Sequence, residues 1–558
     1  MKRLVSKERA KKTKTRQKKA GKASAAKRPL RENPLVGLFL AVVLWGATVF
    51  TIGLGDILTV QPNAGAILPL AGQAVFLLVS LFVAALFIQI TRPALLKENS
   101  KILLLALVSL LAIVSGKGVL YFAHTTTLIP VSIAQFLLPL ALAPLLTTIL
   151  MDSVVGIAIG TWTALALAMM GASTVDTALP DNAPAALPLF LTGLIATVIA
   201  AYTARRVRTR SKIARIGLFI GFSQIACVLG MTALNWQTTS YMLILHQAAA
   251  CIASGVISAL VVLLILPLIE TVFHITTDIT LLELSDLGHD LLQRLAIEAP
   301  GTYHHSLVVA SLAQAAADEI GANSLLARVS AYFHDVGKLT KPNFFAENIQ
   351  MQTNPHDDLA PSMSTLVITA HVKEGLSLAL LHKLPEPITR VIREHHGTSL
   401  LYYFHHKAKE QLEFELAQQN GGSPNGGGGK IDEGAFRYPG PRPSSRESAI
   451  ICLADAVEAA SRSMEKPTPA NIEGLISDII NARLKDGQLD MCDLSLIELA
   501  RIKRSFIFTL TNMLHGRVPY PKDEDRDKQQ AKPSQGEQTE TRQADTQPNG
   551  ARQQPAKK

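Results

Sequence analysis

Seven side chains in the C-terminal half of this 558-residue chain have the types and the order for metal chemistry: His305, the pair His334-Asp335, His371, the pair His395-His396, and Asp455. Imidazole nitrogens and carboxylate oxygens together suit a borderline divalent transition metal. A closed structural zinc site is disfavoured, because the four cysteines, Cys227, Cys251, Cys452 and Cys492, contain no CxxC pair. An open nitrogen- and oxygen-ligated site is left. Taken singly, each residue also has an ordinary reading. His305 suits the start of a helix after Pro300-Gly301, His371 a polar helix face, and His395-His396 a helix C-terminus before Gly397. His334-Asp335 followed by Val336-Gly337-Lys338 is more specific, since the glycine is expected to stop the helix and turn the chain with both side chains at its mouth.

Around these residues lie longer segments: Gly301-Thr302-Tyr303-His304-His305-Ser306, His334-Asp335-Val336-Gly337-Lys338, Ile368-Thr369-Ala370-His371-Val372-Lys373-Glu374-Gly375, Glu394-His395-His396-Gly397-Thr398, Arg437-Tyr438-Pro439-Gly440-Pro441 and Leu453-Ala454-Asp455-Ala456-Val457-Glu458-Ala459. In this order they resemble the HD superfamily, and within it the membrane-bound seven-transmembrane HD phosphodiesterases that hydrolyse cyclic di-AMP. The resemblance runs from Ala299 to Pro521. It implies that His305, His334, Asp335 and Asp455 ligate one metal and that Asp335, His371, His395 and His396 ligate a second, with Asp335 bridging. His304 is left as a neighbour. The implied cofactors are two divalent transition-metal ions, manganese or iron, and the implied substrate is a cyclic dinucleotide. Paired metals ~3.5–4 Å apart would activate a water as nucleophile. Lys338 is placed to contact a phosphate oxygen, in which role it joins Asp335 as a catalytic residue, and equally placed to be a solvated helix-end residue. Tyr438 and Arg437 read first as turn-packing residues, with nucleotide stacking or pairing as the alternative.

The elements that must position these residues are helical. Apolar residues recur at helical spacing through Leu307–Ile320, Leu325–Phe333, Thr365–Leu381, Ile388–His395, Ser448–Ser463 and Ile472–Leu484, and no strand pattern competes, so the fold class is all-α. Asp278–Ala296, within a linking stretch 271–298, is expected as one connecting amphipathic helix that ends before Pro300-Gly301. Gln418–Gly434 is rich in glycine and reads as a flexible loop, and 522–558 is polar and reads as a disordered tail.

The N-terminal half is of another kind. The chain is 48% hydrophobic, and residues 34–270 hold eight runs of about the length a bilayer core requires: Pro34–Thr51, Ala66–Ile90, Ile102–Ala123, Ile129–Met151, Val154–Gly171, Leu187–Ala204, Ile216–Leu234 and Leu243–Leu268. Arg92, Lys97 and Lys101, then Arg205, Arg206, Arg208, Arg210 and Lys212, lie between runs, whereas the loops with Asp56, Asp176 and Asp181 are not basic. The positive-inside rule then puts both termini and the HD domain on the cytoplasmic side of the cell membrane. The basic run Lys2–Arg31 within the tail 1–33 fits the same rule, so much of the net charge of +10 does not call for nucleic acid. Lys117 in Ser115-Gly116-Lys117-Gly118 is an ionisable group at membrane depth, best read as snorkelling to an interface. The related enzymes commonly carry a large extracytoplasmic domain after the first span, and here Gly53–Ala66 is only a short loop.

The expected protein is a polytopic helical membrane domain followed by an all-α HD domain at 299–521, acting as a metal-dependent phosphodiesterase. Its expected partners are a cyclic dinucleotide and the lipid bilayer, with homo-oligomerisation left open. A nucleotide-binding membrane receptor or scaffold is the competing class, and an HD hydrolase for another nucleotide such as cyclic di-GMP the competing substrate. A transporter has only the spans and Lys117 behind it.

Overall fold

The computed structural model describes residues 33–59, 64–126, 128–173, 186–205, 207–234, 240–349, 354–419, 431–465 and 467–515. The basic N-terminal run, the loop with Asp176 and Asp181, most of the glycine-rich insertion and the tail beyond Lys522 lie outside them. The described residues form helices, no strand, and one isolated antiparallel bridge between Leu400 and Arg437.

Eight segments are long and apolar enough to cross a membrane, which makes this a multi-pass membrane protein. Seven are continuous helices: α1 (Pro34–Thr59), α2 (Ala64–Thr91), α3 (Asn99–Thr126), α5 (Ser153–Ser173), α6 (Ala186–Thr203), α7 (Arg210–Leu234) and α8 (Tyr241–Phe273). The fourth, Val131–Leu150, departs from the single helix expected over Ile129–Met151. One α-turn (Val131–Ala134) and a 3-10 turn (Gln135–Leu137) precede a break, and α4 is only Leu142–Leu150. Pro139 is the cause: it has no N–H and disfavours helical backbone in the residue before it, and Leu138 is extended at φ −56, ψ 139. This interrupted segment is also the most enclosed, 78% buried against 22% for each of the first two spans, so it runs through the middle of the bundle.

Small residues let the spans approach closely. Cβ atoms on Gly217 and Gly255 would fall 2.5 and 2.2 Å from each other's carbonyl oxygens, so α7 and α8 touch backbone to backbone. Arg92, just after α2, donates to Asp152 between α4 and α5 at 2.6 Å, which ties two turns on the same side of the bundle, as the alternating topology requires. Lys117 donates to the Ile52 carbonyl of α1 at 2.9 Å.

The link to the second half is not one helix. After α8 the chain turns through His274 in the left-handed region, and Glu270 accepts from Thr277 and Thr280. Asp278–Ala296, expected as one helix, is two: α9 (Asp278–Leu284) and α10 (Asp290–Glu298), broken where Asp286 accepts from the Gly288 amide and His289 caps α10. Arg210, at the start of α7, pairs with Glu283 of α9 at 2.9 Å.

The second half packs α11 (Pro300–Ile320), α12 (Ser324–Phe333), α13 (Pro361–Leu381), α14 (Glu386–Glu394), α15 (Tyr402–Gln419), α16 (Arg446–Ser461), α17 (Pro469–Lys485) and α18 (Leu496–His515). Leu312 and Val309 of α11, Phe333 of α12, Ile450 and Ile451 of α16 and Phe506 of α18 share one buried core. Two further helices, α15 and α18, join those expected from periodicity: α15 is polar, with little apolar periodicity, whereas α18 carries an apolar stripe.

Candidate metal centre

The seven residues come from five places in the fold. His305 stands in the second turn of α11, His334 and Asp335 end α12, His371 is inside α13, His395 and His396 follow α14, and Asp455 is inside α16. Gly337 does a different job from the one expected of it. It does not turn the chain with a positive φ, but lies in a 3-10 segment, Val336–Thr340, where a Cβ would fall 1.8 Å from the His371 carbonyl oxygen and 2.5 Å from the Gly375 amide nitrogen. Glycine is needed there for backbone to meet backbone, and that contact brings Asp335 against His371. Gly397 does adopt φ +54, ending α14 just after the histidine pair.

Two groups of ligand atoms result, each within 4.8 Å: His305, His334, Asp335 and Asp455, and Asp335, His371, His395 and His396. In the first, His305 Nε2 lies 3.1 Å from Asp455 Oδ1 and 3.6 Å from Asp335 Oδ2, and His334 Nε2 lies 3.4 Å from Asp335 Oδ2. In the second, His371 Nε2 and His395 Nε2 lie 3.3 and 3.5 Å from Asp335 Oδ1. Asp335 thus turns one oxygen to each group. His396 Nδ1 is 3.4 Å from Asp455 Oδ2, which brings the two groups together on that side as well. His304 is exposed on the other face of α11.

The opposite ring nitrogens set which tautomer points inward. His334, His371 and His395 each have Nδ1 against a carbonyl three residues back, Ala331 at 2.8 Å, Ile368 at 2.6 Å and Ile392 at 2.9 Å. A carbonyl only accepts, so each Nδ1 carries the proton and each Nε2 presents a lone pair to the centre. His305 Nδ1 instead meets the Glu458 carboxylate, and Arg462 in turn donates to Glu458 at 2.7 Å. Burial pushes His371 down to about 4 and holds His396 well below its ordinary value, so both are neutral imidazoles at neutral pH. Burial alone would raise Asp335, but the Lys338 ammonium outweighs it and keeps the carboxylate ionised.

These residues fit a pair of cations. His305 Nε2, His334 Nε2 and Asp335 Oδ1 are buried without a hydrogen-bond partner, an arrangement that costs ~1–3 kcal/mol per atom unless something else satisfies them.

Lys338 is not a solvated helix-end residue. Only 11% of its side chain is exposed, and its Nζ lies 2.6 Å from Asp335 Oδ2 and 2.7 Å from Glu347 Oε1. Glu347 is held by Thr302 Oγ1 at 2.9 Å, and Gly301 admits this loop because a Cβ there would fall 1.9 Å from the Glu347 carbonyl oxygen. A cavity of about 650 Å³ opens over the centre, lined in part by His305, Lys338, Tyr438, Arg462 and Arg483. Tyr438 stacks on His396, with ring centroids 4.2 Å apart, so it belongs to the site, whereas Arg437 is structural, pairing with Asp486 at 2.9 Å and the Thr398 carbonyl at 2.7 Å. Glu458, Glu347 and Arg483 were not singled out from sequence. Only Glu458 leaves a trace there, three residues after Asp455 on one helix face.

Fold and site together define a multi-pass helical membrane protein that carries an HD domain. Residues 67–277 match the family described as 7TM receptor with intracellular HD hydrolase, and 302–460 match the HD domain family. The first match begins after α1 and covers the other seven spans, and the second takes in every residue of the metal centre. The chain is 34% identical over 461 residues to the cyclic-di-AMP phosphodiesterase PgpH of Bacillus subtilis, covering 82% of this chain and 61% of that one. To the cyclic-di-AMP phosphodiesterase PgpH of Listeria monocytogenes it is 35% identical over 390 residues, 70% of this chain and 51% of that one. The chain therefore spans between half and two thirds of the length of these relatives. The crystal structure of the L. monocytogenes PgpH HD domain is 42% identical, covers 41% of this chain and 100% of that one, and superposes with a TM-score of 0.37. Between α1 and α2 lie only four residues, 60–63, so no folded domain is inserted there.

Proposed function

We propose that this protein is a phosphodiesterase that opens cyclic di-AMP to linear pApA, held at the cytoplasmic face of the cell membrane by its spans. The observation that carries the reading is the pair of ligand groups joined through Asp335 beneath a 650 Å³ cavity. The names of the two curated relatives supply the substrate.

His305, His334, Asp335 and Asp455 would hold one divalent ion and Asp335, His371, His395 and His396 the other. The mixed imidazole and carboxylate donors suit manganese or iron. Bound in this way, such ions supply a water-derived nucleophile at neutral pH and neutralise charge on the phosphodiester. The protein's own share is orientation and charge. The Nδ1 protons of His334, His371 and His395 fix which nitrogen those three offer. Lys338 keeps Asp335 ionised and lines the cavity, where its ammonium meets a phosphate oxygen once it exchanges Glu347 for substrate. Tyr438 and Arg483 line the same cavity, and a base is held against that ring and guanidinium.

The test is turnover by the purified full chain in lipid nanodiscs, supplied with manganese, with products separated by chromatography. Cyclic di-AMP converted to pApA is the expected result. Faster hydrolysis of cyclic di-GMP or of a nucleoside triphosphate would overturn the substrate. In Asp335→Ala, turnover should vanish with metal content. A wild type with no turnover, together with nucleotide affinity kept in a folded Asp335→Ala, would favour the receptor reading.

A further inference from the structure

The stretch 205–215 holds six basic residues, Arg205, Arg206, Arg208, Arg210, Lys212 and Arg215, and no acidic one. It joins α6 to α7 at the point where both spans leave the hydrocarbon. The pairing of Arg210 with Glu283 of α9 puts this turn on the side of the bundle that faces the second half of the chain.

Orienting the spans does not by itself account for this turn. The turn between α2 and α3 lies on the same side, and there the positive charges are largely balanced: Arg92 pairs with Asp152 at 2.5 Å and Lys101 with Glu98 at 2.9 Å. Of Arg205, Arg208, Arg210 and Arg215, only Arg210 has a carboxylate partner among the described residues, and the side chains of that pair are 58% and 55% exposed. Arg205, Arg208 and Arg215 are exposed. Their backbone is nevertheless pinned, because Ala204, Val207, Ile213 and Ile216 around them are at most 4% exposed. Charge alone is served by lysine, which prevails in the run Lys2–Arg31, whereas this turn uses five arginines and one lysine. The planar fork of arginine matches a phosphate in a way that an ammonium does not.

We infer that this turn binds the phosphodiester headgroup of an anionic glycerophospholipid. The lipid phosphates lie at the level where α6 ends and α7 begins, and a fixed group of uncompensated guanidinium ions at that level calls for a bound anion. A zwitterionic headgroup satisfies them poorly, since it brings its own ammonium into their field. Arg210 is shared: the headgroup and Glu283 are alternatives for it, and the exposed pair costs little to exchange. Bound lipid therefore releases α9 from the membrane edge. The site is independent of the hydrolase centre.

The test uses the purified full chain in a neutral detergent, titrated with dioleoylphosphatidylglycerol or dioleoylphosphatidylcholine, with bound lipid counted by native mass spectrometry. One saturable class should take the glycerol lipid about tenfold or more tightly than the choline lipid, each exposed cation contributing up to about fivefold. Arg205→Gln/Arg208→Gln/Arg215→Gln should bring the two lipids to within about threefold of each other, with the thermal midpoint unchanged. Arg501→Gln/Lys503→Gln/Arg504→Gln on α18, an equal loss of net charge, should leave the preference within about twofold of wild type. Glu283→Gln, which removes the competitor for Arg210, should tighten the glycerol lipid by about two- to fivefold. No preference for the glycerol lipid, a preference that survives the loss of the three arginines, or one that falls equally with the α18 charges would mean general charge attraction only and would overturn the proposal. No tightening in Glu283→Gln would overturn the competition for Arg210.

Discussion

Removing the Glu458 carboxylate should weaken one metal position and spare the other. Glu458 is the only partner of His305 Nδ1 among the described residues, and His305 is 4% exposed, so in Glu458→Ala that nitrogen loses its acceptor and the ring its fixed orientation. Loss of such an outer partner weakens a metal site by about 10–100-fold, or about 1.4–2.8 kcal/mol. The other partner, Arg462, is 36% exposed and loses little when left to solvent. His371 and His395 keep their tautomers through their own backbone carbonyls and do not depend on Glu458. Manganese titration of the full chain by calorimetry should therefore show one class of site weakened by that factor and the other changed by less than about threefold, within the usual context dependence of outer contacts. Glu458→Gln, which keeps an acceptor but not its charge, should fall between. Equal weakening of both classes, or of neither, would refute the assignment of Glu458 as the positioning group of His305.

Gly337→Ala forces a Cβ to within 1.8 Å of a carbonyl oxygen that cannot move without displacing His371. It should cost about 3 kcal/mol or more, visible as a lower thermal midpoint together with loss of metal. Gly217→Leu should pry α7 from α8, because its Cβ alone would lie 2.5 Å from the Gly255 carbonyl, and a midpoint unchanged in detergent would refute that packing. Arg437→Ala should lose about 1–2 kcal/mol at neutral pH. Burial alone would raise the Asp486 pKa, but Arg437 outweighs it and holds the carboxyl low. The pair's stabilisation is therefore full above the unfolded carboxylate value of about 3.9 and is lost as pH falls through the lower folded value, so wild type and variant should converge there. A gap in stability that stays constant down to strong acid would show that the charge on Asp486 is not what Arg437 serves.

The identities and order of His305, His334-Asp335, His371, His395-His396 and Asp455 are local properties, written in short segments, and so is the hydropathy of the spans. These sufficed for the family, the all-α class and the eight apolar segments. What depended on distant chain meeting distant chain was legible only after folding. That Gly337 is a contact residue depends on α13, thirty-odd residues away, lying against its backbone. Glu347 reaches Lys338 because Gly301 leaves room for a loop that has no helical signal of its own. The same holds in the membrane. Pro139 announces a break by its chemistry, yet hydropathy averages over it and returns an ordinary span. Only the packing of α3 and α8 around that break leaves an apolar groove beside it, because an empty volume belongs to no residue's sequence and exists only where three elements fail to close on one another.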